Sequence, residues 1–158
     1  MAGLEDLYRE IILDHYRSPR NRGELDAPPA TKVEGYNPLC GDEIVLYLLV
    51  DGGVVTDVKI GGQGCSISQS SASMMSAAIK GKTSAEVRAV VRAFKAMMSI
   101  HESRLEGDEG SAEDAAADAE VKLGDLEALQ GVVKFPVRIK CATLSWNTLT
   151  QALDEAGA

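Results

Sequence analysis

A chain of 158 residues, 45% of them hydrophobic, is long enough to bury a core and short enough to form one domain. Its formal net charge of -8 argues against nucleic acid or an anionic membrane as a partner, since both are held through basic patches. Aromatic residues make up only 4%, so the core has to be built from Val, Leu, Ile, Ala and Met.

Leu4, Leu7, Tyr8, Ile11 and His15 recur at helical spacing and Pro19 closes the segment, which predicts a helix from about Leu4 to Tyr16. His15 falls on its inner face, where a satisfied core histidine is the plain reading. The stretch SPRNRGELDAPPA reads as a loop, and Thr31 to Tyr36 as a short strand. In DEIVLYLLVDGGVVTDVKIGG two β-rich runs flank Asp51-Gly52-Gly53, a hairpin signal. A sheet with helices is expected.

After Cys65 the composition turns to Ser and Ala, predicting a helix that can approach the sheet closely and stop at Gly81. Thr83 and Glu86 form a capping box for the next helix. Val87, Val90, Val91, Phe94, Met97 and Met98 make its buried stripe. His101 ends this helix, where a partial positive charge suits the terminal carbonyls.

From His101 to Asp125 there are nine acids against two bases, nearly the whole net charge. This stretch reads as a solvated loop or frayed helix, or more sharply as an acidic insert that recognises a partner. LEALQGV reads as a short helix. Ala142, Ser145, Trp146, Leu149, Ala152 and Leu153 mark a C-terminal helix. Cys141 lies at or near its start, unless Pro136 places the start earlier. The expectation is a single domain over 1–158 with an acidic insert at about 101–125.

Three cysteines and no secretory pattern favour reduced thiols in a cytoplasmic compartment. The apolar run Ile44 to Val50 is far too short to span a bilayer. Cys40 lies in the turn NPLCGDE, Cys65 after a glycine turn at a helix start, and Cys141 at a second apparent start. Helix N-termini favour thiolates, so these placements suit ionised, reachable sulfurs.

Asp42, two residues from Cys40, caps a turn or supplies a fourth ligand. Three thiolates and a carboxylate suit zinc or part of an iron–sulfur cluster, although the spacings are not those of a zinc finger. Such a set leaves a surplus of about two negative charges around a divalent ion. Arg138 and Lys140 in RIKC would offset it if VRIKC is extended and both point to one side. GGQGCS is no phosphate loop, because no Gly-Lys-Ser/Thr follows it. Neither His15 nor His101 fits a Cys–His catalytic pair.

Four stretches in order, LYREIILDHYRSPRNRG, NPLCGDEI, GGQGCSISQSSASMMSAAIKGK and RIKCATLSWNTL, resemble the SufU branch of the IscU/NifU N-terminal family of iron–sulfur cluster assembly proteins. The resemblance implies an α+β fold: a three-stranded antiparallel sheet with helices packed over it. It implies that Cys40, Asp42, Cys65 and Cys141 meet at one exposed end and bind Zn2+. It also implies that Cys40 accepts persulfide sulfur from a SufS-type cysteine desulfurase when a desulfurase-supplied ligand displaces it. Arg138 and Lys140 would steady the added charge, and downstream cluster-assembly proteins would receive the sulfur. Such a protein is a sulfurtransferase acting with a desulfurase, not a stand-alone enzyme.

One alternative is a scaffold on which Cys40, Cys65 and Cys141 hold a [2Fe–2S] cluster. Another is a structural zinc-binding interaction domain. IscU-type scaffolds carry a histidine before the third cysteine and a Pro-Pro motif upstream. Here Lys140 and the lone Pro136 stand there, and the interval between Cys65 and Cys141 is longer; these features are similar to the SufU branch.

Overall fold

The alternation of apolar and polar residues in the middle of the chain sets the sheet. The computed structural model describes residues 2–27, 29–38, 40–106, 123–134 and 136–157. Strands β1 (Thr31–Asn37), β2 (Asp42–Asp51) and β3 (Val54–Gln63) form an antiparallel sheet in the order β1-β2-β3. Val33, Ile44, Leu46, Leu48, Val58 and Ile60 are buried on one face, while the intervening Lys32, Glu34, Tyr36 and Glu43 are exposed. Gly52 and Gly53, at φ 60° and 77°, join β2 to β3. Positive φ at both central residues is the twist-compatible two-residue hairpin turn.

Helices cover the apolar face. They are α1 (Ala2–Arg17), α2 (Ser66–Ile79), α3 (Ser84–Glu106), a 3-10 helix (Gly124–Lys134) and α4 (Pro136–Glu155). Small residues let backbones approach. A Cβ on Gly35 of β1 would collide with Thr148 Oγ1 of α4, so that helix lies directly on the strand. In α2, Ser68, Ser70, Ser71, Ser73 and Ser76 are all buried. Ser71 Oγ donates to Ala142 O at 2.6 Å and accepts from Trp146 Nε1 at 3.1 Å, which ties α2 to α4. Trp146 stacks on Phe94 with centroids 4.3 Å apart, joining α3 to the same core.

Helix ends follow the sequence signals. Gly81, at φ 84°, follows the last turn of α2, and its N–H bonds Val55 O at 2.8 Å. Thr83 caps α3: its Oγ1 accepts from Glu86 N at 3.2 Å, and Glu86 Oε1 accepts from Thr83 N at 3.1 Å. The bonds that Thr83 N and Thr83 Oγ1 donate to Glu86 Oε1 hold the Glu86 carboxyl below its ordinary pKa. Thr83→Ala should cost about 1 kcal/mol, or a thermal midpoint lower by roughly 2–4 °C, read by circular dichroism. An unchanged midpoint would show that the Glu86 half of the box suffices.

His15 is the core histidine the helical pattern predicts. It is 3% exposed, with Nδ1 2.8 Å from Ser73 Oγ and Nε2 3.0 Å from Asp125 Oδ2. The acidic segment is corrected at both ends: the helix of His101 continues to Glu106, and Asp125, largely exposed, sits on the 3-10 helix with its carboxylate against buried His15. Residues 107–122, the heart of the expected insert, lie outside the described residues, as does the side chain of His101. No helix among the described residues is long and apolar enough to cross a membrane.

Candidate metal centre

The sheet presents one end to the starts of two helices, and the cysteines meet there. Asn37, the last residue of β1, pairs with Asp42, the first of β2, and Cys40 stands in the turn between them. Gly41 N donates to Asn37 O at 2.9 Å, and Gly41 takes φ 70°. That left-handed step is cheap only for glycine. Cys40 is exposed as a residue, while its sulfur faces that of Cys141.

Asp42 begins the buried face of β2 and has no exposed surface. Its Oδ1 accepts from Cys65 N at 2.9 Å, joining the first strand residue to the helix start. The path from β3 to Cys65 needs its glycines. Gly62 takes φ 107°, and a Cβ there would collide with Glu43 O. A Cβ on Gly64 would lie 2.5 Å from Asp42 Oδ1. Cys65 then caps α2, accepting from Ser68 N at 3.5 Å, with its sulfur 4.0 Å from Asp42 Oδ2.

Cys141 comes from a different place than the composition of its neighbourhood suggests. α4 begins at Pro136, so Cys141 lies in the second turn and is buried. The unpaired N–H groups of a helix belong to its first four residues, so Cys141 gains little from the helix start. Burial raises its thiol pKa, and the adjoining Cys40, Asp42 and Cys65 raise it further. The expectation of a helix-activated thiolate at Cys141 is therefore wrong. Its sulfur lies 3.1 Å from Cys40 Sγ, while Asn37 Nδ2 lies 3.7 Å away as donor.

Arg138 and Lys140 need a second correction. VRIKC is helical, and residues two apart on a helix do not share a face. Arg138, three residues before Cys141, is on the cysteine's side; Lys140 is turned away. Arg138 is exposed, and Lys140 is exposed as well.

The donor atoms of Cys40, Asp42 and Cys141 all lie within 4.8 Å of one another. Cys65 stands at the edge of this group beside Asp42. Soft sulfurs with one hard oxygen fit a tetrahedral zinc shell, and also an iron–sulfur cluster.

Asn37 escaped the sequence reading. Its only local sign is the Asn-Pro start of the turn, and its contact with Cys141 arises across 104 positions of chain.

A family model described as the NifU-like N terminal domain matches residues 7–142. The chain is 47% identical over 158 residues to the zinc-dependent sulfurtransferase SufU of Bacillus subtilis, covering 99% of this chain and 97% of that one. It is 37% identical to the iron–sulfur cluster assembly scaffold protein IscU of Streptococcus pyogenes, covering 97% and 86% respectively. Among solved structures, a protein from Fervidobacterium islandicum described as an iron–sulfur cluster assembly scaffold for the SUF system superposes with TM-score 0.72. It is 34% identical over 91% of this chain and 94% of that one.

Proposed function

The chain belongs to the NifU-like N-terminal domain family, and from that premise we propose that it is a zinc-dependent sulfur-transfer protein of iron–sulfur cluster assembly. One observation carries the reading: Cys40, Asp42 and Cys141 converge at one end of the molecule, Cys65 adjoins them, and of the three thiols Cys40 is the exposed one. In this reading Cys40, Asp42, Cys65 and Cys141 hold the zinc, which keeps the thiols deprotonated and shields them from oxidation. The partner is a SufS-type cysteine desulfurase, and the sulfur passes on to downstream cluster-assembly proteins. Three free thiols suit a reducing cytoplasm.

The residues divide the work by exposure. Cys40, on a turn hinged at Gly41, reaches a donor persulfide from solvent. Its thiolate attacks the donor's outer sulfur; that sulfur's bond to the donor cysteine breaks, and the donor leaves as a thiolate. Asp42 fixes Cys65 through its backbone N–H, so the inner half of the shell stays ordered while Cys40 moves. Arg138, exposed on the Cys141 side of α4, offsets the added negative charge; Lys140 contributes only at longer range.

Mass spectrometry after incubation with desulfurase and cysteine tests the assignment. Cys40 should carry one added sulfur, and a Cys40→Ala variant that still gains persulfide sulfur refutes it. The scaffold reading is separated by metal and acid-labile sulfide content after anaerobic purification. Zinc without sulfide supports sulfur transfer. Iron with matching sulfide, passed on to an apo-acceptor, supports the scaffold. Zinc with no stimulation of a desulfurase leaves a structural interaction domain.

A further inference from the structure

We propose that Cys141 is a resolving thiol: in metal-free protein it attacks a Cys40 persulfide and releases the carried sulfur as sulfide. The inference rests on the reading of Cys40 as sulfur acceptor and adds a second outcome for the sulfur it receives.

Cys141 Sγ lies 3.1 Å from Cys40 Sγ, within the range of a near-attack contact, about 3–3.5 Å. The burial of the two thiols sets the direction. Cys40 is exposed and Cys141 is buried beneath it, so an outer sulfur delivered from solvent lies on the side of Cys40 away from Cys141. Attack by Cys141 on Cys40 Sγ then runs opposite to the bond that must break. Thiol–disulfide exchange takes that line, and hydrosulfide is a good leaving group; burial holds the proton on Cys141 and so slows the attack, while the thiolate that does form is the stronger nucleophile for its raised pKa. Asn37 Nδ2, 3.7 Å from Cys141 Sγ, donates toward the sulfur as it takes up negative charge. Cys65 is placed differently, beside Asp42 and capped onto α2 through Ser68 N.

The step balances without an external oxidant. The thiol of Cys141 and the persulfide of Cys40 give a Cys40–Cys141 disulfide and hydrogen sulfide. One S–S bond forms between the two side chains and one breaks to the outer sulfur. The sulfane sulfur takes up two electrons, the two cysteine sulfurs are oxidised to the disulfide, and the thiol proton leaves with the sulfide. Return to the thiol state needs a dithiol reductant. While Cys141 is held as a metal ligand its sulfur is engaged and the persulfide is kept for transfer. Metal occupancy thus selects between handing on sulfane sulfur and releasing sulfide.

The test uses the full chain, anaerobically, either zinc-loaded or stripped with a chelator. Cys40 is loaded by a cysteine desulfurase with cysteine, and in parallel by inorganic polysulfide; small molecules are then removed. The stripped protein should release one sulfide per persulfide consumed and yield a Cys40–Cys141 disulfide on peptide mapping. The zinc-loaded protein should release it at least about tenfold more slowly. Cys141→Ser should keep its persulfide, with circular dichroism checking that it folds. A persulfide stable on stripped wild-type protein overturns the inference, as does sulfide without the disulfide, or sulfur moved to Cys141 with none released. Because wild-type protein alone gives these outcomes, the inference does not depend on the variant folding. If the desulfurase loads nothing, the sulfur-acceptor reading fails, and the polysulfide arm still decides whether Cys141 resolves a Cys40 persulfide.

Discussion

Stripping the metal should lower the thermal midpoint by roughly 8–16 °C and make it depend on free zinc. A ligand at a thousandfold excess over its Kd stabilises the folded state by about 4 kcal/mol, and for a chain of this size each kcal/mol moves the midpoint about 2–4 °C. The argument is local. The site joins the β1–β2 turn, the start of α2 and the second turn of α4, which are far apart in sequence. A cation shared among them closes long loops that the metal-free chain holds by packing and a few hydrogen bonds.

The pH dependence has opposite signs with and without metal. In metal-free protein the Cys141 thiol is pushed above its ordinary value of 9.0, first by burial and then by Cys40 and Asp42. Below pH 9 both folded and unfolded chains keep that proton, and the group leaves stability unchanged. As pH rises past 9 the unfolded chain loses it first, so the stability of metal-free protein falls. Metal binding displaces the same proton, so affinity weakens as pH drops. Thermal melts at several zinc concentrations and pH values check both signs. A midpoint indifferent to zinc would mean that Cys40, Asp42, Cys65 and Cys141 hold no metal in solution.

Much of this arrangement was legible because local chemistry dictated it. Gly52-Gly53 can only make a tight hairpin turn, Thr83 with Glu86 makes a reciprocal cap, and a cysteine after the Gly62–Gly64 turn has a helix start to sit on. The three-stranded antiparallel sheet was implied by the family resemblance, and the structure agrees; its order, β1-β2-β3, is seen only in the structure.

Where the reading failed, two local signals conflicted. Pro136 is well suited to the first position of a helix, yet Val137, Ile139 and the residues between alternate like a strand. The helix won because α4 packs along β1 and α2, a long-range effect invisible in a short window. That outcome buried Cys141 and separated Lys140 from Arg138. Asn37 was missed for a related reason: its contact with Cys141 is made across 104 positions of chain. At the end of the acidic stretch Asp125 is the exposed charge that composition suggests, and its contact with buried His15 of α1 is the part no short window shows.

Gly64→Ala should weaken zinc binding by roughly 10–100-fold, the usual cost of disturbing the partners that orient metal ligands. A Cβ at residue 64 would lie 2.5 Å from Asp42 Oδ1 and 3.1 Å from Asp42 Cβ. Asp42 has no exposed surface, so its carboxylate has no solvent side to retreat to. The strain therefore falls on the loop, which moves Cys65 and breaks the 2.9 Å bond from Cys65 N to Asp42 Oδ1. Two ligands are displaced by one methyl group.

Overpacking of this kind costs about 1–3 kcal/mol, so the variant should remain folded. Gly61→Ala is the matched control, since its Cβ would meet only Val45 Cβ, at 3.9 Å, an ordinary contact. Competition with a chromophoric chelator reads the affinities, and circular dichroism confirms the folds. If both variants bind zinc like the parent, the glycine turn serves only to route the chain into α2. If Gly64→Ala alone loses affinity, the absence of a side chain at residue 64 is part of the metal site, as much as the sulfurs themselves.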